Sequence, residues 1–218
     1  MDIEKLIETY PRFFHMAEAG TWPSIRDRGL MSASAVLNHF GVTGGDRSEY
    51  ETAHRATKMA VLPQTPGHIV LRDQKPMPPD RLERALIDGT TPEEWYRLIN
   101  GKVFFWAEEH RLHGLLGARD YRNLEHDVLT IDSAPFVREY VNNIWLCHMN
   151  SGNTWPKPHA RGIDVFKRIA DYPTNTRGYP AKPVVEVVVD GQVPDIARYV
   201  VEVRRMQKGE TLGTIALD

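Results

Sequence analysis

Glu186 lies in Pro183-Val184-Val185-Glu186-Val187-Val188-Val189-Asp190, where valine fills five of the seven positions after the proline. A run of this kind, closed by Asp190-Gly191, predicts a central strand buried on both faces. An unpaired carboxylate there is costly, so Glu186 must be paired, neutralised or turned into a wet cleft. The plain alternative is a rim glutamate on a strand less buried than its valines suggest. His15, in Phe13-Phe14-His15-Met16, is either a satisfied core histidine or a ligand contact. Arg55, in His54-Arg55-Ala56-Thr57-Lys58, stands in a polar segment where an arginine is usually a surface charge, and Arg72 competes with it for any functional role.

Other chemistries find no support. No phosphate-binding glycine loop, dinucleotide fingerprint or Gly-x-Ser-x-Gly elbow is present. His110 and His113 fall at i,i+3 on a predicted helix, but no carboxylates are spaced to complete a metal site, so a solvated face and no metal are expected. Arg204-Arg205 reads most simply as a solvated strand edge, which would discourage edge pairing. A net charge of −2 excludes a broad basic face for nucleic acid, though not a local basic groove. The single cysteine, Cys147, rules out an internal disulfide or a cysteine-based zinc site and suits a reducing compartment. Met1-Asp2-Ile3-Glu4-Lys5 does not open a signal peptide, and no apolar run approaches the ~20 residues that span a bilayer. A soluble, cytoplasmic protein without membrane contact is expected.

The elements that must hold these residues follow from pattern. At 218 residues and 41% hydrophobic, the chain suits one domain over residues 1–218. Helical spacing of Ile3, Leu6 and Ile7 predicts a helix over 2–9, stopped by Pro11, and a brief strand follows at 13–16. Pro23 and Gly29 mark the start and end of a short helix. Further helices are predicted over 33–40 and 44–58. Strands are predicted at 67–72, 102–106, 127–131 and 144–148, with helices over 107–117 and 133–141. Thr91-Pro92-Glu93-Glu94 is a capping box that starts a helix running to about Ile99. Residues 150–182 hold Pro156, Pro158 and Pro173 and predict a long structured loop, with room for a short helix over 165–170; such loops are often functional. Residues 199–206 and 211–217 form a hairpin turning at Lys208-Gly209. Helices early and strands late give an α+β class.

The order of these motifs resembles the ADP-ribosyltransferase superfamily, and within it the DarT-like toxins that modify nucleic-acid bases. The resemblance rests on His15, on Ile25 with Gly29-Leu30-Met31-Ser32, on Arg55, on aromatic Val103-Phe104-Phe105-Trp106, and on Glu186 followed by Val193-Pro194-Asp195-Ile196. It covers roughly residues 13–200. Two departures are present: Met16-Ala17-Glu18-Ala19 lacks a Thr-His pair common in those toxins, and Phe105 or Trp106 replaces a tyrosine usual in the middle strand. RNA 2′-phosphotransferases share the fold and consume NAD, but do not need a strand glutamate.

The resemblance implies a split mixed or antiparallel β core with flanking short helices, and NAD as co-substrate. Loss of nicotinamide leaves an oxocarbenium-like ribose, which a fixed Glu186 carboxylate would stabilise. Arg55 is the second catalytic candidate, as a clamp on pyrophosphate or acceptor. His15, Ser32, Phe105 and Trp106 are the cofactor-binding candidates, by hydrogen bonding and by ring packing. The implied acceptor is nucleic acid, met by the loop ahead of Glu186 through Trp155, Lys157, Arg161, Arg168, Arg177 and Lys182. An antitoxin or immunity partner is a further implication. A non-catalytic binding module on the same fold is the rival from another class.

Overall fold

The computed structural model describes residues 1–61 and 69–218. The chain runs α1 (Ile3–Thr9), β1 (Arg12–Glu18), α2 (Trp22–Arg28), β2 (Leu30–Met31), α3 (Ala33–His39), α4 (Gly44–Thr52), β3 (Met59–Val61), β4 (Ile69–Leu71), α5 (Pro79–Glu83) and α6 (Pro92–Asn100). It continues through β5 (Lys102–Trp106), α7 (Glu109–Leu116), β6 (Glu125–Asp132), α8 (Ser133–Tyr140), β7 (Ile144–Cys147), β8 (Phe166–Arg168), β9 (Glu186–Asp190), β10 (Gln192–Val193), β11 (Val200–Gln207) and β12 (Glu210–Ile215). The architecture is α+β.

Among the described residues, eight strands form one sheet in the order β12-β11-β6-β1-β5-β9-β7-β8. Every pairing in it is antiparallel. The sheet falls into two halves. β1 pairs with β6 along its whole length, from Arg12–Asp132 to Glu18–His126, and β5 pairs with β9 from Lys102–Asp190 to Trp106–Glu186. Between the halves, β1 and β5 share one pair, Phe14 with Trp106.

β9 sits between β5 and β7, which explains its valines. Val187 and Val189 enter a core with Phe13, Phe105, Leu146 and Phe136 on one face. Val188 enters a second core with Trp95, Cys147 and Phe166 on the other. α6 covers that second face: Thr91 and Glu94 close the capping box, Pro92 opens the helix, and Trp95, Tyr96 and Ile99 are its buried stripe. The turn from β1 into α2 is fixed by Asp127, fully buried on β6. Its carboxylate accepts from the Gly20 and Trp22 amides at 2.9 and 3.2 Å and pairs with Arg205 at 2.7 Å.

Three expectations change. The polar helix over 44–58 ends at Thr52, and Arg55 lies beyond it. Residues 165–170 hold no α-helix; a 3₁₀ turn over Ile163–Val165 leads into β8, because the open edge of β7 takes Phe166 opposite Cys147. Of the strand expected at 67–72, Ile69–Leu71 pairs with Met59–Val61, while Gly67 and His68 lie outside the described residues.

Candidate functional site

A cleft of about 2050 Å³ opens where the half-sheets part, and its walls include His15, Ser32, Arg55, Phe105, Trp106 and Glu186. All six residues singled out in the sequence contribute to the lining of this space. Their roles there differ.

Cross-strand partners point to the same face of a sheet. Phe14, Trp106, Glu186 and Cys147 form one such row across four strands, so Trp106 stands beside Glu186. Phe105, one residue earlier, turns the other way: it pairs with Val187, is 1% exposed and packs edge-on against Phe136 at 5.2 Å between centroids. Phe105 is core, and its face is not available to a cofactor.

Glu186 opens β9 and is 4% exposed. The Ser151 amide donates to both of its carboxylate oxygens, at 3.1 and 3.2 Å. Burial pushes the carboxyl pKa up to about 7, opposed by the hydrogen bonding from Ser151 and by the Arg161 charge. The group therefore changes charge near neutrality.

His15 is partly buried at the parting of the sheet. Its Nδ1 lies 2.8 Å from the Phe104 carbonyl; a carbonyl only accepts, so Nδ1 carries the proton and Nε2 keeps a lone pair. Burial pulls the His15 pKa down to about 4, with the Phe104 hydrogen bond opposing and the Arg72 charge adding to the fall. The imidazole is neutral at physiological pH.

Arg55 is not a free clamp. It is buried, and its guanidinium donates to the carbonyls of Tyr50 at 2.6 Å and Arg72 at 3.2 Å and to Asn100 Oδ1 at 2.8 Å. It ties the end of α4 to β4 and α6, a positioning task. Replacing it by methionine removes three hydrogen bonds, although Asn100 Oδ1 keeps the Gln74 amide as a donor, and we expect Arg55→Met to lower stability by about 2 kcal/mol in urea unfolding. Ser32 is likewise structural: its Oγ accepts from the Ala35 amide at 3.1 Å and caps α3.

Arg72 is the better placed cation. It lines the cleft, donates to the Met16 carbonyl at 3.2 Å and lies 5.2 Å from the centre of the Tyr121 ring. Lys75, Arg111 and Arg119 line the cleft with it. The loop cations assigned to an acceptor disperse instead. Arg161 is buried, Arg168 lies over Trp145 at 3.7 Å, and Lys157, Arg177 and Lys182 are not among the described lining residues. Trp155 remains at the cleft. It is 55% exposed, and Arg81 covers one ring face at 3.6 Å.

The sequence reading did not single out Ser151. Asn150-Ser151-Gly152-Asn153 carries a loop signal, but nothing local reveals that its amide meets a carboxylate 35 residues away. Among the described residues, no cluster of three histidine, cysteine or acidic side chains could hold a metal, and no helix is long and apolar enough to cross a membrane. A model described as a family of unknown function, DUF7002, matches residues 11–200. No curated protein matches the chain.

Proposed function

The chain belongs to the DUF7002 family of unknown function, and for it we propose NAD-dependent ADP-ribosyl transfer to a nucleobase, with release of nicotinamide. The observation that carries this reading is Glu186: a carboxylate aimed by one backbone amide at the wall of a cleft shared with His15 and Trp106. Departure of nicotinamide leaves positive charge on the ribose, and a preorganised anion lowers the energy of that cation. The same carboxylate can take the proton released when the acceptor nitrogen or oxygen attacks the sugar carbon.

The other groups suit the same substrate. The Nε2 lone pair of neutral His15 accepts a hydrogen bond from a ribose hydroxyl or a carboxamide. Trp106 offers a ring face beside Glu186 for the nicotinamide. Arg72, rather than Arg55, supplies a fork for the pyrophosphate. Small-molecule pockets usually hold about 300–1,000 Å³, so a cleft of about 2050 Å³ has room for a dinucleotide and an acceptor together. Trp155, propped by Arg81 on one face, suits stacking of an acceptor base on the other. A sheet parted between β1 and β5 agrees with the split core of ADP-ribosyltransferases.

The test is to incubate the protein with NAD, alone and with single-stranded DNA or RNA, and to follow free nicotinamide and the mass of the oligonucleotide. Nicotinamide release with a gain of one ADP-ribosyl group is the expected result. Release should rise with pH and level off above about 7, as the Glu186 carboxyl loses its proton. Loss of phosphate from a 2′-phosphorylated RNA would make the protein a phosphotransferase instead. NAD binding without turnover would leave a binding module.

A further inference from the structure

We infer that Arg161 and Ser151 are positioning residues for the Glu186 carboxylate, the guanidinium bracing the loop whose amide aims the acid. This rests on Glu186 being the reacting group of the cleft.

Arg161 is 1% exposed, and its guanidinium is spent on its own loop. Nη1 donates to the Ser151 carbonyl at 2.7 Å, Nη2 to the Asn153 carbonyl at 2.8 Å and Nε to the His159 carbonyl at 3.1 Å. One planar fork thus closes residues 151–161 into a compact turn. The turn is anchored from outside: the Arg161 amide donates to the Ala85 carbonyl at 2.8 Å, and its carbonyl accepts from Ile87 at 3.0 Å. On the far side of the turn, the Ser151 amide reaches both oxygens of Glu186.

The arrangement resembles the buried fork of Arg55, but here the braced loop carries the amide that meets Glu186. A guanidinium without a direct carboxylate partner is buried, and burial lowers its pKa while the Glu186 charge raises it again. The groups facing Glu186 are few. The loop brings Arg161 and Ser151, β7 brings the Cys147 thiol directly opposite, and β5 brings Trp106, which carries no charge. Among the described residues, Arg161 is the cation whose charge bears on the acid. It supplies positive charge without a direct salt bridge that would lock the acid ionised. Trp155 sits on the same braced turn, so the surface offered to an acceptor and the aim of the carboxylate are set together.

The experiment is a carboxyl titration by NMR on protein labelled with ¹³C-glutamate, the Glu186 signal being identified by its loss in Glu186→Gln. With the wild-type midpoint near pH 7, Arg161→Met should raise it, because both the Arg161 charge and the Ser151 hydrogen bonding that its fork braces hold it down. Arg161→Lys keeps a charge without the three-way fork and should raise it less. The pH profile of nicotinamide release should move by the same amount in each variant, with kcat at pH 7 falling and KM for NAD held. An unmoved midpoint in the variants that fold, with only a lower melting temperature, overturns the inference; should Arg161→Met not fold, Arg161→Lys decides it. The titration needs no turnover, so it gives its answer even if NAD is not the substrate.

Discussion

Glu186→Gln should abolish nicotinamide release, by about 10³-fold or more, and at the same time make the protein more stable at alkaline pH. Both effects come from the same desolvated carboxyl. Its folded pKa, about 7, lies above the ordinary value of 4.5, so the folded chain holds this proton more tightly than the unfolded one. The group's favourable contribution is complete below about pH 4.5 and is lost as pH rises through 7. At about 1.4 kcal/mol for each tenfold change in proton affinity, the loss amounts to about 3 kcal/mol by pH 8. The glutamine variant cannot ionise and keeps that stability. Urea unfolding of both proteins at pH 5 and pH 8 measures the effect, and the stability gap should be several times wider at the higher pH. Equal turnover in the two proteins would refute the role given to Glu186, whatever the unfolding curves show.

Gly29→Ala should cost about 4 kcal/mol, a large share of a domain's usual margin of about 5–15 kcal/mol. Gly29 has φ 83 and ψ 174, a region that essentially only glycine occupies. A Cβ built there would lie 2.5 Å from Pro194 Cα and 2.6 Å from the Val193 carbonyl oxygen. Both obstacles are backbone, held by the pairing of Val193 with Leu30 and Gln192 with Met31, so neither can yield as a side chain would. Gly20→Ala is the control: φ is again 83, but nothing lies within 4 Å of the added carbon. Urea midpoints of the two variants separate backbone strain from the clash, and equal losses would contradict this account.

That contact also shows what a one-dimensional pattern conveys. Gly29-Leu30-Met31-Ser32 and Val193-Pro194-Asp195-Ile196 each drew notice as separate motifs; the fold places them against each other as β2 and β10. Unbroken apolar and aromatic runs found β9, β5 and the acid within β9. They could not choose between Phe105 and Trp106, since that choice depends on which residue of β5 stands opposite Glu186, a matter of register. Helix caps were plain at Thr91 and Pro92, whose chemistry is local. Arg55, Ser151 and Arg161 were not legible in their true roles. Their partners are carbonyls, an asparagine oxygen and a carboxylate brought near by folding, and an arginine that braces backbone has the same local sequence as one that meets solvent.

The parting of β1 from β5 has a bearing on how any mutagenesis of this cleft should be understood. Two carbonyls flanking the seam, those of Phe104 and Met16, are met by the His15 ring and by Arg72. These side chains are thus tenants of two offices, recognition of a guest and upkeep of the wall around it. Truncating either one evicts both functions at once. Swaps that keep the donor, such as His15→Asn or Arg72→Lys, are therefore the more informative edits.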